Sequence, residues 1–202
     1  EGRHGVDYRA VRSSLPTRDV APGYLCYVRG MPSLLSLAFL LGRRPMVAEL
    51  GHAEFTRLRT EATAALPPLI AQLPDLTGKS GARFVLEAAC SLVAFHRALP
   101  GRSAEANANL LRTALLHAAG WVPSPVRRLY RWLFFSPWYH RRLLDSIDGG
   151  GGFVGGYVPG ESGKKFGVEY SACGIQLFLA RIGASDLGPH ICGFDDLESE
   201  VF

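Results

Sequence analysis

Residues 166–196, FGVEYSACGIQLFLARIGASDLGPHICGFDD, gather thiol, imidazole and carboxylate in one short piece of chain. Two of the four cysteines, Cys173 and Cys192, lie here, with His190 two residues before the second, Asp195 three residues after it, and Asp196 next. A thiolate attacks electron-poor carbon, and an imidazole or a helix N-terminus nearby favours that charged form. Either Cys173 or Cys192 could be such a nucleophile, and His190 or Asp195 could move the proton the chemistry requires. His190 and Cys192 would point to one side only if their segment is extended. The plainer reading makes both cysteines small buried hydrophobes, and makes Asp196, Glu198 and Glu200 solvated residues at a helix start. Cys173, His190, Cys192 and Asp195 could also supply four zinc ligands, but the spacing matches no standard closed site and no metal is expected.

The elements that must position these residues follow from the pattern. Residues 166–170 alternate as a strand that delivers Cys173 at its end. Residues 175–182 then read as a helix stopped by Gly183, which sets Cys173 at a helix start, where partial positive charge favours a thiolate. Glu169 and Tyr170 face opposite sides of the strand. Tyr170 is the candidate substrate contact, with core filling as its plainer role. Upstream, residues 153–158 form the partner strand of an antiparallel hairpin, preceded by the glycine run 149–152, which is a flexible turn or a place of close backbone approach.

Before the hairpin the chain reads as helical. Ser33 is an N-cap for residues 34–41, with Gly42 as the stop; a second helix runs from about Pro45 to about Leu66, where Pro67-Pro68 interrupts it. Residues 82–99 predict the central core helix, with Phe84, Val85, Ala88, Ala89, Leu92, Phe95 and Leu99 at helical spacing. Its antiparallel partner starts at Ser103 and stops at Gly120. The remaining histidines read as surface or core residues, and of them His96 and His117, each within a helix, are the ones to inspect for reach into the site. Residues 123–144 interleave arginines with aromatics around Pro137. Such a stretch can bind single-stranded nucleic acid or lie on a membrane surface. The expected reading is a helix pair that buries Trp132, Phe135 and Trp138 and leaves its arginines in water, with Arg141 or Arg142 available to a substrate carboxylate. The fold class is therefore α+β: an N-terminal helical bundle packed on a small C-terminal antiparallel sheet, in one domain with 1–30 as an extended arm, 31–148 mainly helical and 149–202 carrying the hairpin, helix and catalytic segment.

With 202 residues, 48% of them hydrophobic, the chain can bury a real core. A net charge of +4 suits an anionic small molecule as readily as nucleic acid. The longest apolar run, 34–41, falls far short of the roughly 18 residues that span a bilayer. Residues 1–14 lack the order of a secretory signal. Four widely spaced cysteines without a CxxC pair point to reduced thiols and a cytoplasmic protein. P-loop, GxSxG and HExxH patterns are missing, as is a GxGxxG after a strand, so no organic cofactor is expected. The expected partner is a small carboxylate-bearing substrate rather than nucleic acid or membrane.

The order of residues in 166–196 resembles the C-terminal core of the L-2-amino-thiazoline-4-carboxylic acid hydrolase family: a strand ending in cysteine, a short helix, then a cysteine followed three residues later by aspartate, here Cys173, Cys192 and Asp195. The likeness extends back through the glycine-rich hairpin and the helix pair of 82–120, about two thirds of the chain. It implies hydrolysis of a cyclic amidine-like carbon: water adds at the C=N carbon of a thiazoline, the carbon–sulfur bond opens, and an N-carbamoyl amino acid results. Family members continue past the acidic segment to a basic stretch and a closing strand with Cys-Asp-Phe, so this chain is expected to be cut short at Phe202. A heterocycle-forming or rearranging enzyme of secondary metabolism, and a non-catalytic small-molecule or protein-binding module, are the alternatives on the same scaffold.

Overall fold

The structure, a computed structural model, describes residues 33–134, 136–159 and 166–192. The chain divides by its internal contacts into Glu1–Gly30 and Met31–Phe202. The first of these, with the N-terminal arm expected there, lies outside the described residues, as do Phe135, Asp195 and Asp196.

Helix α1, Leu34–Leu41, begins where expected: the Ser33 hydroxyl accepts from the Ser36 N–H at 3.1 Å. That bond satisfies one of the donors that a helix start leaves free. Gly42 ends it and leads into α2, Arg43–Leu50, which is followed by α3, His52–Ile70. The single helix expected from about Pro45 to the proline pair is thus two. Its break falls at Gly51, whose φ of 79° is left-handed and strains any residue with a Cβ. The helix runs through Pro67 and Pro68 instead of stopping. Each proline removes one backbone donor, but they stand in the last turns, and the Ala71 N–H still closes onto the Pro67 carbonyl at 3.0 Å.

Helix α4, Ser80–Arg97, is the centre of the described helical bundle. It packs against α1, α3, α5 (Ala104–Ala119), α7 (Pro137–Ile147) and α8 (Gly174–Arg181). Every residue from Ala89 to Phe95 is buried, so this half of the helix has no solvent face. Its apolar face differs from expectation at one end: Phe84 is exposed, while Leu86, Cys90 and Val93 are buried. Residues 89–95 are enclosed on all sides, so apolar spacing there carries no direction, and a stripe drawn back from it misplaces Phe84. Ser103 caps α5 by accepting from the Ala106 N–H at 3.1 Å.

Helix α6, Ser124–Phe134, packs chiefly on α7, which Ser136 caps through the Tyr139 N–H. Trp132 and Trp138 are exposed, which corrects the expectation that they fill the core. Helix α4 is packed by α1, α3, α5, α7 and α8, whereas α6 packs chiefly on α7. After α7 come β1, Val154–Pro159, and β2, Phe166–Ala172, paired antiparallel with Gly155 opposite Tyr170 and Tyr157 opposite Val168. The expected class holds: a helical bundle with a small two-stranded antiparallel sheet towards the C-terminal end.

The glycine run joins bundle to sheet by close approach. A Cβ on Gly150 would lie 2.8 Å from the Lys79 Cβ and 2.9 Å from that of Ala82. One on Gly151 would meet Leu86 Cδ1 at 2.6 Å, and one on Gly152 would meet Leu177 Cδ1 at 2.7 Å. Gly151 and Gly152 also have positive φ, of 61° and 88°. Gly151→Ala is therefore expected to lose about 2–4 kcal/mol in urea denaturation, from overpacking and a left-handed backbone together. Gly156→Ala, with open space around its Cβ, should stay within about 0.5 kcal/mol of the parent. Equal midpoints for the two variants would contradict the close approach.

Candidate functional site

Cys173 is the N-cap residue of α8, extended at φ −109° and ψ 111°, and it makes no capping bond through its side chain. It is half-buried and packs against the core. The strand end and helix start expected around it are both present, and Gly183, at φ 68°, follows the C-cap residue Ile182. The helix is seated on the glycine run: a Cβ on Gly174 would fall 2.6 Å from the Gly151 carbonyl oxygen and equally close to the Phe153 ring.

The return segment is helical, so the condition for His190 and Cys192 to share a side is not met. Residues Gly188–Cys192 form a short helix, α9, entered through a 3-10 turn at Ser185–Leu187. Pro189, in the first turn of α9, fits a helix start because its missing N–H needs no partner there. In a helix, residues two apart point about 200° away from each other, so His190 and Cys192 diverge instead of sharing a side. Cys192 is exposed and sits beside the first turn of α8, where the Gln176 amide points to its sulfur at 3.9 Å. Gln176 is held in that place because Gly188 has no side chain: a Cβ there would lie 2.5 Å from Gln176 Oε1. The two cysteines thus stand at the same end of α8, both as free thiols, with His190 turned from Cys192. Among the described residues no group of three His, Cys, Asp or Glu is arranged to hold a metal ion.

The C-terminal end of α4 fixes this segment in place. Arg97 Nη2 donates to the Ile182 carbonyl at 2.9 Å, satisfying an acceptor at the end of α8. His96 faces the 3-10 turn, with Nε2 4.0 Å from the Asp186 carboxylate. Its other nitrogen, Nδ1, lies 2.9 Å from Nδ2 of the buried Asn107, while Asn107 Oδ1 accepts from Arg102 Nε at 3.1 Å. An amide nitrogen only donates, so Nδ1 is the acceptor and the ring proton sits on Nε2, towards Asp186. His96 therefore orients the segment.

The remaining candidates serve the scaffold. Tyr170 lies over Gly155 on the neighbouring strand, where a Cβ would meet its ring at 2.8 Å, and its ring is edge-on to Phe153 at 6.2 Å. A large ring covering a strand glycine shields backbone that would otherwise be wet. Arg141 lies over the Tyr157 ring at 4.5 Å and Arg142 over Trp138 at 5.1 Å. Tyr157 pairs with Val168, five residues before Cys173, which at the rise of a strand is about 17 Å away. Neither arginine is brought to Cys173 by these contacts.

Along the second half of α8 is a cleft of about 300 Å³ lined by Pro74, Gly151, Gly152, Leu177, Phe178 and Arg181. That is the lower end of the range for small-ligand sites. Arg181 lies over the Phe178 ring at 5.5 Å and donates to the Gln72 carbonyl, so its guanidinium is positioned. The sequence reading passed over Arg181. It recurs seven residues after Gly174 and four after Leu177, which puts the three on one helical stripe, and that spacing was available as a signal. A second recess, of about 480 Å³, lies at Arg43, Arg44, Val47, Ala48 and His52 and contains neither thiol nor carboxylate.

Cys90 is the counter-example. It is fully buried in α4, and its thiol is pushed up to about 12, first by burial and then by the charge of Glu87. Compared with known protein families, characterised proteins and solved structures, the chain matches none.

Burial that penalises the thiolate raises the pKa, so Cys90 stays a thiol between neutral pH and pH 9 and gains no reactivity there. Iodoacetamide alkylation followed by peptide mass spectrometry should label Cys192 first, Cys173 more slowly, and Cys90 only in denaturant. Early labelling of Cys90 in the folded chain would contradict its enclosure.

Proposed function

We propose that the chain is a small-molecule hydrolase of the thiazoline-carboxylate type, with Cys173 as nucleophile and the cleft beside α8 as the place of its substrate. The observation that carries the reading is the position of Cys173: partly accessible, at the positive end of an eight-residue helix whose later residues Leu177, Phe178 and Arg181 line a cleft. The amide end of α8 favours negative charge on a reacting sulfur, whereas Cys192 closes α9 at its negative end. The thiolate would add to the amidine carbon and the ring carbon–sulfur bond would break, the leaving sulfur taking a proton. Water would then attack the same carbon, releasing the N-carbamoyl product and returning the thiol. Arg181 suits the substrate carboxylate better than Arg141 or Arg142 because it lines the cleft and they do not. Asp195 or His190 would serve as the proton carrier.

The packing of Cys173 against the core favours a second reading, a binding module whose thiols are structural. Turnover of a thiazoline carboxylate, measured beside a thermal melt, separates the two. Cys173→Ser is expected to lower kcat at least about a thousandfold with the melt unchanged. Arg181→Gln should raise KM about 10- to 100-fold, the loss of a charge-assisted contact, with little change in kcat. A folded Cys173→Ser variant with parental turnover would overturn the nucleophile assignment, and a collapsed melt would favour the structural thiol.

A further inference from the structure

All three tryptophans of the chain lie within residues 121–138, and all three are largely exposed: Trp121 by 67%, Trp132 by 70% and Trp138 by 55%. Tryptophan is on average a well-buried residue. On α6 the neighbours Val126 and Leu129 are exposed as well, by 52% and 58%. At 100° per residue, Val126, Leu129 and Trp132 occupy one stripe about 120° wide, and Arg127 and Arg128 lie about 160° and 100° round the helix from its centre. The charge is equally one-sided. No Asp or Glu occurs between Glu105 and Asp145, whereas Arg112, Arg127, Arg128, Arg131, Arg141 and Arg142 do. Arg142 lies against Trp138, setting a cation beside an exposed aromatic ring.

We infer that α6 and the start of α7 form a surface that docks on an anionic lipid bilayer, lying in its interface without crossing it. Among the described residues no helix is long and apolar enough to cross a membrane, and an interfacial helix needs no such length. Tryptophan, with an apolar body and one polar N–H, suits the headgroup boundary, and each arginine near an anionic surface adds attraction. Three features favour lipid over other occupants. Val126 and Leu129 gain from entering an acyl boundary but offer nothing for a base to stack upon. A second copy of the chain would set this cationic patch against itself. The patch lies on α6, whose chief packing partner is α7, so docking leaves the bundle around α4 intact.

Because every tryptophan is in this patch, the intrinsic fluorescence of the unmodified chain reports it alone. On adding phosphatidylcholine vesicles that contain phosphatidylserine, the emission should shift to the blue and be quenched by brominated acyl chains, and the protein should co-sediment. Pure phosphatidylcholine vesicles should give neither effect, and raised salt should reverse binding. Leu129→Ser with Trp132→Ser, and separately Arg127→Gln with Arg128→Gln, should each weaken co-sedimentation about tenfold or more, with parental thermal melts. Absence of any shift or sedimentation with the anionic vesicles would overturn the proposal. So would quenching by a single-stranded oligonucleotide in preference to vesicles, or a stable dimer in sedimentation velocity that the Leu129→Ser and Trp132→Ser variant dissolves.

Discussion

The approach of bare backbone at Gly150, Gly151 and Gly152 to two helices is the constraint on which the C-terminal part depends. Side chains of Lys79, Ala82 and Leu86 on one side and Leu177 on the other occupy the volume where a Cβ would be. Two close-packed faces leave no void to absorb a methyl group. By removing side chains at successive positions, the chain brings α8 down onto the bundle, and with it Cys173, Gln176 and Arg181. The cleft is the residual space at this junction, and Gly151 and Gly152 form part of its wall.

A second set of contacts, polar instead of steric, acts from the far end of α4. Arg97 holds the end of α8 and His96 faces Asp186, while Asn107 and Arg102 fix the imidazole from behind. Arg102 also reaches Glu49 on α2. Four elements distant in sequence thereby meet at one helix end. Steric seating at the start of α8 and hydrogen bonding at its end together leave the helix little freedom to rotate about its axis, which is what a side chain at its N-cap needs in order to keep a direction.

Much of this was legible where one residue dictates one local geometry. Ser33 and Ser103 as N-caps, Gly42, Gly120 and Gly183 as stops, and the antiparallel hairpin were read from residue type, because capping and helix termination are local requirements. The misreadings arose where tertiary context decides. Gly51 breaks a helix that the proline pair does not, and Pro189 sits in a short helix, α9, that the sequence reading did not assign. Phe84 and the tryptophans follow apolar spacing yet face outward, because spacing reports a face and not what covers it. Arg181 was missed because its partners, Gln72 and Pro74, are more than a hundred residues away in sequence.

The enclosure of α4 has a bearing on how the molecule opens. A helix buried on every side over Ala89–Phe95 cannot release those amides by fraying or by the displacement of a single neighbour. Solvent hydrogen reaches them only when the whole bundle separates, so their exchange runs at the rate set by global unfolding, while α6, held mainly by α7, exchanges through far smaller openings. Among the described residues the packing thus sets a contrast of local stability between the enclosed backbone of α4 and the tryptophan-bearing helix held mainly by α7.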